Sequence, residues 1–267
     1  MKLAPSLHRI GSSLVNSYLV EESRAVTIVD AGLPGYWRFL PNELAAMGRS
    51  LDDVRAIVLT HGDRDHVGFA ERLRRERGVP VFVHELDVAR ARGEVKKRSS
   101  GWGPVKIGPL LGFLAYTGLR GGLRVPPLAE VRTFGDGVTL DVPGAPRIIH
   151  LPGHTPGTLS MLFEVKDGGR PLMVAYSGGT AFNFVNDVPH FDTYIASQRK
   201  MAERAGSRNA TVLMSNHSEF DNAVTKIKML AARKAGEPHP FELGREAVQR
   251  YFKVTDECAQ VARLKLM

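Results

Sequence analysis

One cysteine in 267 residues, Cys258, excludes an internal disulfide, and no second thiol accompanies it to form a redox pair. A reducing compartment is therefore compatible with the chain. Long hydrophobic runs are also missing. The longest apolar stretch, residues 107–119, falls short of the roughly 20 residues a bilayer helix needs and is broken by Gly108, Pro109 and Gly112. No membrane span is expected. His8, Arg9 and Asn16 interrupt the first residues, which lack the apolar core and small-residue cleavage pattern of a leader, so a cytoplasmic protein is expected. Concentrated charge is lacking too. The net charge of +8 is spread over many segments, with small clusters only at residues 72–77 and 96–98. Such patterning reads as a solvated basic surface, and no specific nucleic-acid partner is expected.

What is present is ordinary globular material. Hydrophobic residues make up 43% and charged residues 24%, enough for one sizeable core, and a single domain over residues 1–267 is expected. Alternating apolar residues predict strands at 13–20 and 25–29, parted by the polar turn Glu21-Glu22-Ser23 and ending at Asp30-Ala31-Gly32. Helical spacing follows at 37–47, on both sides of Pro41. Residues 56–59 read as a buried strand, 67–77 as a helix ending at Gly78, 79–83 as a strand and 86–94 as a charged helix. The glycine- and proline-rich residues 99–127 are long for a connector and predict a lid-like insertion. Beyond it come strands at 147–151, 158–165, 172–176 and 211–214, and helices at 194–205, 222–234 and 245–261. Strands feeding repeatedly into helices and loops predict an α/β fold with its polar motifs at strand ends.

The sharpest chemistry lies in Thr60-His61-Gly62-Asp63-Arg64-Asp65-His66, where His61, Asp63, Asp65 and His66 are all competent metal ligands. A loop at the end of a buried strand can turn such side chains together, His61 and Asp63 to one ion, Asp65 and His66 to another. The alternative is that Asp63 and Asp65 cap the following helix. Capping accounts for one aspartate but not for two histidines beside it. His154 and His217, taken alone, read as turn or surface histidines. His84 and His150 read as packed residues, and His8, His190 and His239 lack partners at metal-binding spacing.

Five motifs together are more specific: Asn16-Ser17-Tyr18-Leu19-Val20, Asp30-Ala31-Gly32, the histidine loop, Pro152-Gly153-His154-Thr155-Pro156-Gly157 and Ser215-Asn216-His217. The chain so marked resembles the metallo-β-lactamase superfamily over nearly its whole length. The resemblance implies a four-layer αββα sandwich and two divalent metal ions, zinc first, with manganese or iron as alternatives. It assigns His61 and His154 to the first ion, and Asp65, His66 and His217 to the second. Asp63 stands where the usual His-x-His-x-Asp-His loop has its second histidine. A carboxylate is itself a ligand, and this harder donor favours manganese or iron more than three histidines would. Asp65 is implied to orient the attacking hydroxide as well as bind. Asp30 is implied to orient the ligand cluster, its alternative being a simple turn aspartate before Gly32.

A second departure lies at Tyr176-Ser177-Gly178-Gly179-Thr180, where many hydrolases of the superfamily carry a bridging aspartate in a Gly-Asp turn. The third metallo-β-lactamase subclass also does without that bridge, and the second half of the chain is similar to it. The first half is similar to lactonase-like hydrolases. Two branches joined near residues 157–162, against one divergent lineage, is the reading this suggests. The function implied is hydrolysis of a small-molecule acyl substrate, a lactam, lactone, ester or thioester, by a metal-bound hydroxide, with entry near Trp102 and residues 107–119. A nucleic-acid phosphodiesterase and a non-catalytic metal-binding protein are the alternatives. Oligomeric state is not legible in the sequence.

Overall fold

The computed structural model describes residues 1–95, 115, 118–121, 124–182 and 185–267. Most of the expected lid, with Trp102, lies outside the described residues. Two sheets face each other. The first has the order β1 (Lys2–Ala4), β2 (Leu7–Gly11), β3 (Asn16–Glu22), β4 (Ala25–Val29), β5 (Val54–Val58), β6 (Val81–His84), β7 (Arg132–Phe134). It is antiparallel up to β4 and parallel from β4 to β7. The second contains β8 (Arg147–His150), β9 (Leu159–Asp167), β10 (Arg170–Ser177) and β11 (Val212–Ser215), with β11 parallel to β10 and the other pairs antiparallel. Helices are α1 (Leu40–Ala46), α2 (Arg64–Val67), α3 (Ala70–Arg77), α4 (Val88–Ala91), α5 (Val188–Ser207), α6 (Ser218–Asp221), α7 (Ala223–Ala232) and α8 (Arg245–Leu264).

The twofold alternation of strand side chains sorts these elements into layers. Tyr18, Val20, Val29 and Val58 point from the first sheet to Met161, Phe163, Val174, Tyr176 and Met214 of the second. Their neighbours Leu19, Ile28 and Ile57 turn the other way, onto Leu40 and Leu44 of α1 and Leu73 of α3. On the far side, Leu162, Ala175 and Leu213 pack against Met201 and Ala205 of α5 and Val248 and Phe252 of α8. Three apolar seams thus hold four layers, and the fold is the α/β αββα sandwich.

The local departures from expectation have physical causes. The strand placed at 13–20 begins at Asn16 and runs through Glu21 and Glu22. The turn is instead Ser23-Arg24, both at positive φ (50° and 68°), the twist that suits a two-residue hairpin. Arg49 pairs with Glu21, which lets this carboxylate sit on a strand. The helix expected at 67–77 is interrupted at Gly68, whose backbone (φ −28°, ψ −72°) leaves the helical region and donates its N–H to the Gly32 carbonyl at 2.9 Å, an approach that leaves no room for a Cβ. Residues 34–39 form a tight 3₁₀ turn, so α1 starts at Leu40 with Pro41 in its first turn, where a missing N–H costs nothing. Asp30, residues 60–66, the 152–157 turn, residues 177–180 and His217 all follow the carboxyl ends of strands, and so gather at one edge of the sandwich.

Candidate metal centre

Strand β5 is buried except at Arg55, and the chain stays buried through Thr60 and His61 before α2 begins at Arg64. Asp63 occupies the residue before α2, yet its side chain makes no capping hydrogen bond. Its Oδ1 accepts from Arg90 Nη1 at 2.8 Å. Its Oδ2 lies 3.8 Å from His61 Nε2 and 3.5 Å from His154 Nε2. The capping alternative therefore does not describe this residue. On the other side of the loop, Asp65 Oδ2 lies 3.6 Å from both His66 Nε2 and His217 Nε2, and those two nitrogens are 3.2 Å apart. The six sequence candidates are thus brought together as two groups, His61/Asp63/His154 and Asp65/His66/His217. Tetrahedral ligands at zinc's usual 2.0–2.2 Å would be about 3.4 Å apart, close to the 3.2–3.8 Å between these five pairs of donor atoms.

Neighbours decide which nitrogen each imidazole offers. His154 Nδ1 donates to the Ala181 carbonyl at 2.8 Å, leaving Nε2 as the lone-pair nitrogen facing Asp63. His66 Nδ1 donates to Asp30 Oδ2 at 3.1 Å. His61 Nδ1 meets Thr60 Oγ1 at 2.9 Å, and since that hydroxyl gives its own proton to Asp30, the imidazole is the donor. His61 Nε2 is then a buried lone pair with no hydrogen-bond partner among the described residues. A buried nitrogen left this way is costly unless a cation completes it, so the donor set fits a divalent ion.

Asp30 underlies the whole cluster. It is fully buried at φ +58° and accepts from Thr60 N at 2.7 Å as well as from the Thr60 hydroxyl and His66. Asn216 Nδ2 in turn donates to Thr60 Oγ1 at 3.1 Å and to the Gly178 carbonyl at 2.7 Å, tying the second sheet to the loop. Electrostatics distributes charge unevenly. Burial, then the neighbouring imidazoles, hold His61 well below the usual histidine range. Burial and the charge of His66 push His217 down to about 4. Burial opposes protonation of His66 too, but Asp65 and Asp30 outweigh it and raise this group to about 9.

Residues 176–180, where the family's bridging aspartate is expected, hold no carboxylate. A Cβ on Gly178 would run into the Leu159 carbonyl oxygen of the neighbouring strand and the Thr60 side chain, so this position admits only glycine. Several contributors escaped the sequence reading. Asp87, fully buried, accepts from Gly62 N at 2.7 Å, Thr155 Oγ1 at 2.8 Å and Gly157 N at 2.8 Å, joining the histidine loop to the 152–157 turn. His190 Nε2 donates to the Gly153 carbonyl at 2.6 Å and holds the same turn. No motif marks either. His84 and His150 stack at 4.0 Å apart from both groups. A cavity of about 550 Å³ opens beside Asp63, lined by Arg64, Val67, Arg90, Arg92 and Val125 among others.

Comparison with known proteins places the arrangement. The family model described as metallo-beta-lactamase superfamily matches residues 10–172, which includes every candidate ligand except His217. The uncharacterized protein YobT of Bacillus subtilis is 26% identical over 239 residues, 83% of this chain and 90% of that protein. An N-acyl homoserine lactonase from a Bacillus species is 27% identical over 205 residues, 67% of this chain and 70% of that protein. A shorter match, 29% over 92 residues, is to ribonuclease J 1 of Streptococcus pyogenes and covers 31% of this chain and 16% of that protein. Among solved structures, the crystal structure of BJP-1, a subclass B3 metallo-beta-lactamase of Bradyrhizobium japonicum, superposes with a TM-score of 0.75 at 21% identity, covering 100% of this chain and 94% of the other. At that identity the likeness is one of fold.

Proposed function

The chain belongs to the metallo-beta-lactamase superfamily, and we propose that it is a binuclear hydrolase of small acyl compounds, with His61, Asp63 and His154 on one divalent ion and Asp65, His66 and His217 on the other. The observation that carries this reading is the convergence of lone pairs. Each group offers two imidazole Nε2 atoms and one carboxylate oxygen within 4.8 Å of one another, and hydrogen bonds at Nδ1 of His61, His66 and His154 hold those rings in place. Divalent ions there supply Lewis acidity and bring the pKa of water from about 15.7 toward neutrality.

The chain's own residues would do the rest. Asp65 is the most open of the six, with its side chain 34% exposed against 19% or less for the others. It is placed to take a proton from the attacking water and pass it to the leaving group. Asp30, through Thr60 and His66, keeps the two groups in register. The cavity beside Asp63 has room for a small acyl compound. Among acyl substrates, a lactone is supported by the lactonase relative and a lactam by the fold of the subclass B3 enzyme. Zinc suits the histidine-rich set, while the two carboxylates keep manganese and iron in contention.

The test is metal loading followed by elemental analysis, together with a panel of β-lactams, lactones, thioesters and phosphodiesters. About two ions per chain are expected, falling to about one in His217→Ala, with turnover among the acyl substrates. Trace metal after loading, or turnover confined to phosphodiesters, would overturn the proposal.

A further inference from the structure

Asp63 carries a negative charge at a position that needs only a lone pair, and the chain meets that charge with a cation. We propose that Arg90 is a positioning residue for the first metal group: the Asp63–Arg90 pair does together what a neutral histidine does alone. The proposal rests on the metal-site reading above.

The two oxygens of Asp63 face different partners. Oδ1 accepts from Arg90 Nη1 at 2.8 Å, while Oδ2 is left toward His61 and His154. A carboxylate only 8% exposed needs a charged or hydrogen-bonded partner to remain ionised. A guanidinium on one oxygen supplies it and leaves the other oxygen as a single-atom donor. The charges of carboxylate and guanidinium cancel, so the pair presents the same net charge as an imidazole. The arginine is also held close by the backbone. A Cβ on Gly62 would lie 2.6 Å from Ala91 N, 2.9 Å from the Asp87 carbonyl oxygen and 3.0 Å from Arg90 Cβ, so the histidine loop rests directly on α4 and the turn before it. Asp87, three residues before Arg90, accepts from Gly62 N. One short segment therefore grips the loop twice, by its backbone through Asp87 and by its ligand side chain through Arg90.

Arg90 also lines the cavity beside Asp63, where Arg64 and Arg92 lie as well. A substrate-binding role there would act on KM and not on metal. The two roles separate in a set of four variants, Arg90→Gln, Arg90→Lys, Asp63→His and the double variant Asp63→His with Arg90→Gln. Zinc affinity at each site is measured by chelator competition, and cobalt absorption reports coordination. Arg90→Gln is expected to weaken the first site about 10- to 100-fold, the usual effect of losing an outer partner of a ligand, with the second site unchanged. Arg90→Lys recovers part of the loss. In the Asp63→His background the sign reverses: Arg90→Gln strengthens the first site, because an uncompensated guanidinium no longer faces the ion.

Unchanged zinc affinity in a folded Arg90→Gln protein, with only KM raised, overturns the proposal in favour of substrate binding. An equal loss in both backgrounds overturns it in favour of simple packing. Should Arg90→Gln not fold, Arg90→Lys and the double variant still decide. Failure of the unsubstituted protein to take up metal would instead overturn the reading beneath it.

Discussion

Asp30→Asn isolates the contribution of one carboxylate oxygen to the metal centre. The replacement is nearly isosteric, and asparagine tolerates the positive φ of 58° at this position, so the backbone has no reason to move. What changes is the number of acceptors. Asp30 receives Thr60 N at 2.7 Å on Oδ1 and His66 Nδ1 at 3.1 Å on Oδ2, with the Thr60 hydroxyl between them. An amide has one oxygen. If that oxygen stays with Thr60 N, the NH₂ group faces His66 Nδ1, which must give up its proton, and the ring's hydrogen moves to the Nε2 that the second group uses. If the amide flips, Thr60 N–H is left buried without an acceptor. The first outcome should weaken the second site about 10- to 100-fold, or about 1.4–2.7 kcal/mol. The second should cost the metal-free fold about 1–3 kcal/mol. Chelator competition reads the affinity, and denaturant melts with EDTA read the metal-free fold. At fixed zinc above Kd, the stabilisation conferred by metal should shrink by the same 1.4–2.7 kcal/mol or so, since binding adds RT ln(1 + [L]/Kd) to stability. A variant that keeps zinc affinity within about threefold and melts unchanged in EDTA would refute the reasoning, because every buried donor would then have kept its partner.

Two further outcomes follow from buried groups. Asp87→Asn should destabilise the metal-free protein by about 1–3 kcal/mol and weaken the first site, since an amide cannot accept from Gly62 N, Thr155 Oγ1 and Gly157 N together; a melt and zinc affinity equal to the parent's would contradict the role given to it. His8 is buried, and burial together with the charges of the chain amine and Lys2 outweighs Glu21 and depresses it to about 4. Glu43 Oε2 lies 3.2 Å from its Nδ1 and opposes the shift in part, but the unfolded chain still protonates this group more readily, so stability is lost as pH falls from about 6.5 toward 4. Denaturant melts of chelated protein at pH 7, 5 and 4 should show a shallower acid decline in His8→Gln, and an identical decline in the two proteins would remove His8 as its cause.

The histidine loop was legible because four donors crowd six consecutive residues, a density that capping chemistry does not need. Asp30 could be singled out only through the family resemblance, since a strand-ending aspartate before Gly32 reads equally well as a simple turn residue. Thr60 and Asn216 stood inside motifs without a role assigned to them, and Asp87 and Arg90 left no comparable trace. Each is an ordinary polar residue until the chain folds, and the partners of Asp87 lie 25, 68 and 70 residues away. The same limit applies to strands. β10 alternates cleanly between two apolar seams and was readable, whereas β7 has three residues of mainly exposed side chains and joins the sheet through backbone pairing with β6. Glu21 and Glu22 looked like a turn because polarity was read as punctuation, when partners such as Arg49 allow carboxylates on a strand. The break at Gly68 is written in the proximity of Gly32, which no local pattern contains.

Each group of donors takes two members from the loop after β5 and one from beyond residue 150: His154 joins His61 and Asp63, and His217 joins Asp65 and His66. A chain cut anywhere between residues 67 and 153 would therefore yield one piece with two donors for each ion and another with one, and neither piece would hold a complete set. Metal would then behave as a chelating glue whose uptake measures how far the two sheets have docked. An exchange of halves between related chains meets a correspondingly narrow demand. The newcomer must bring two imidazoles, His154 and His217, to the right places, together with the Thr155, Gly157 and Asn216 contacts and the apolar face that seat it on the first sheet.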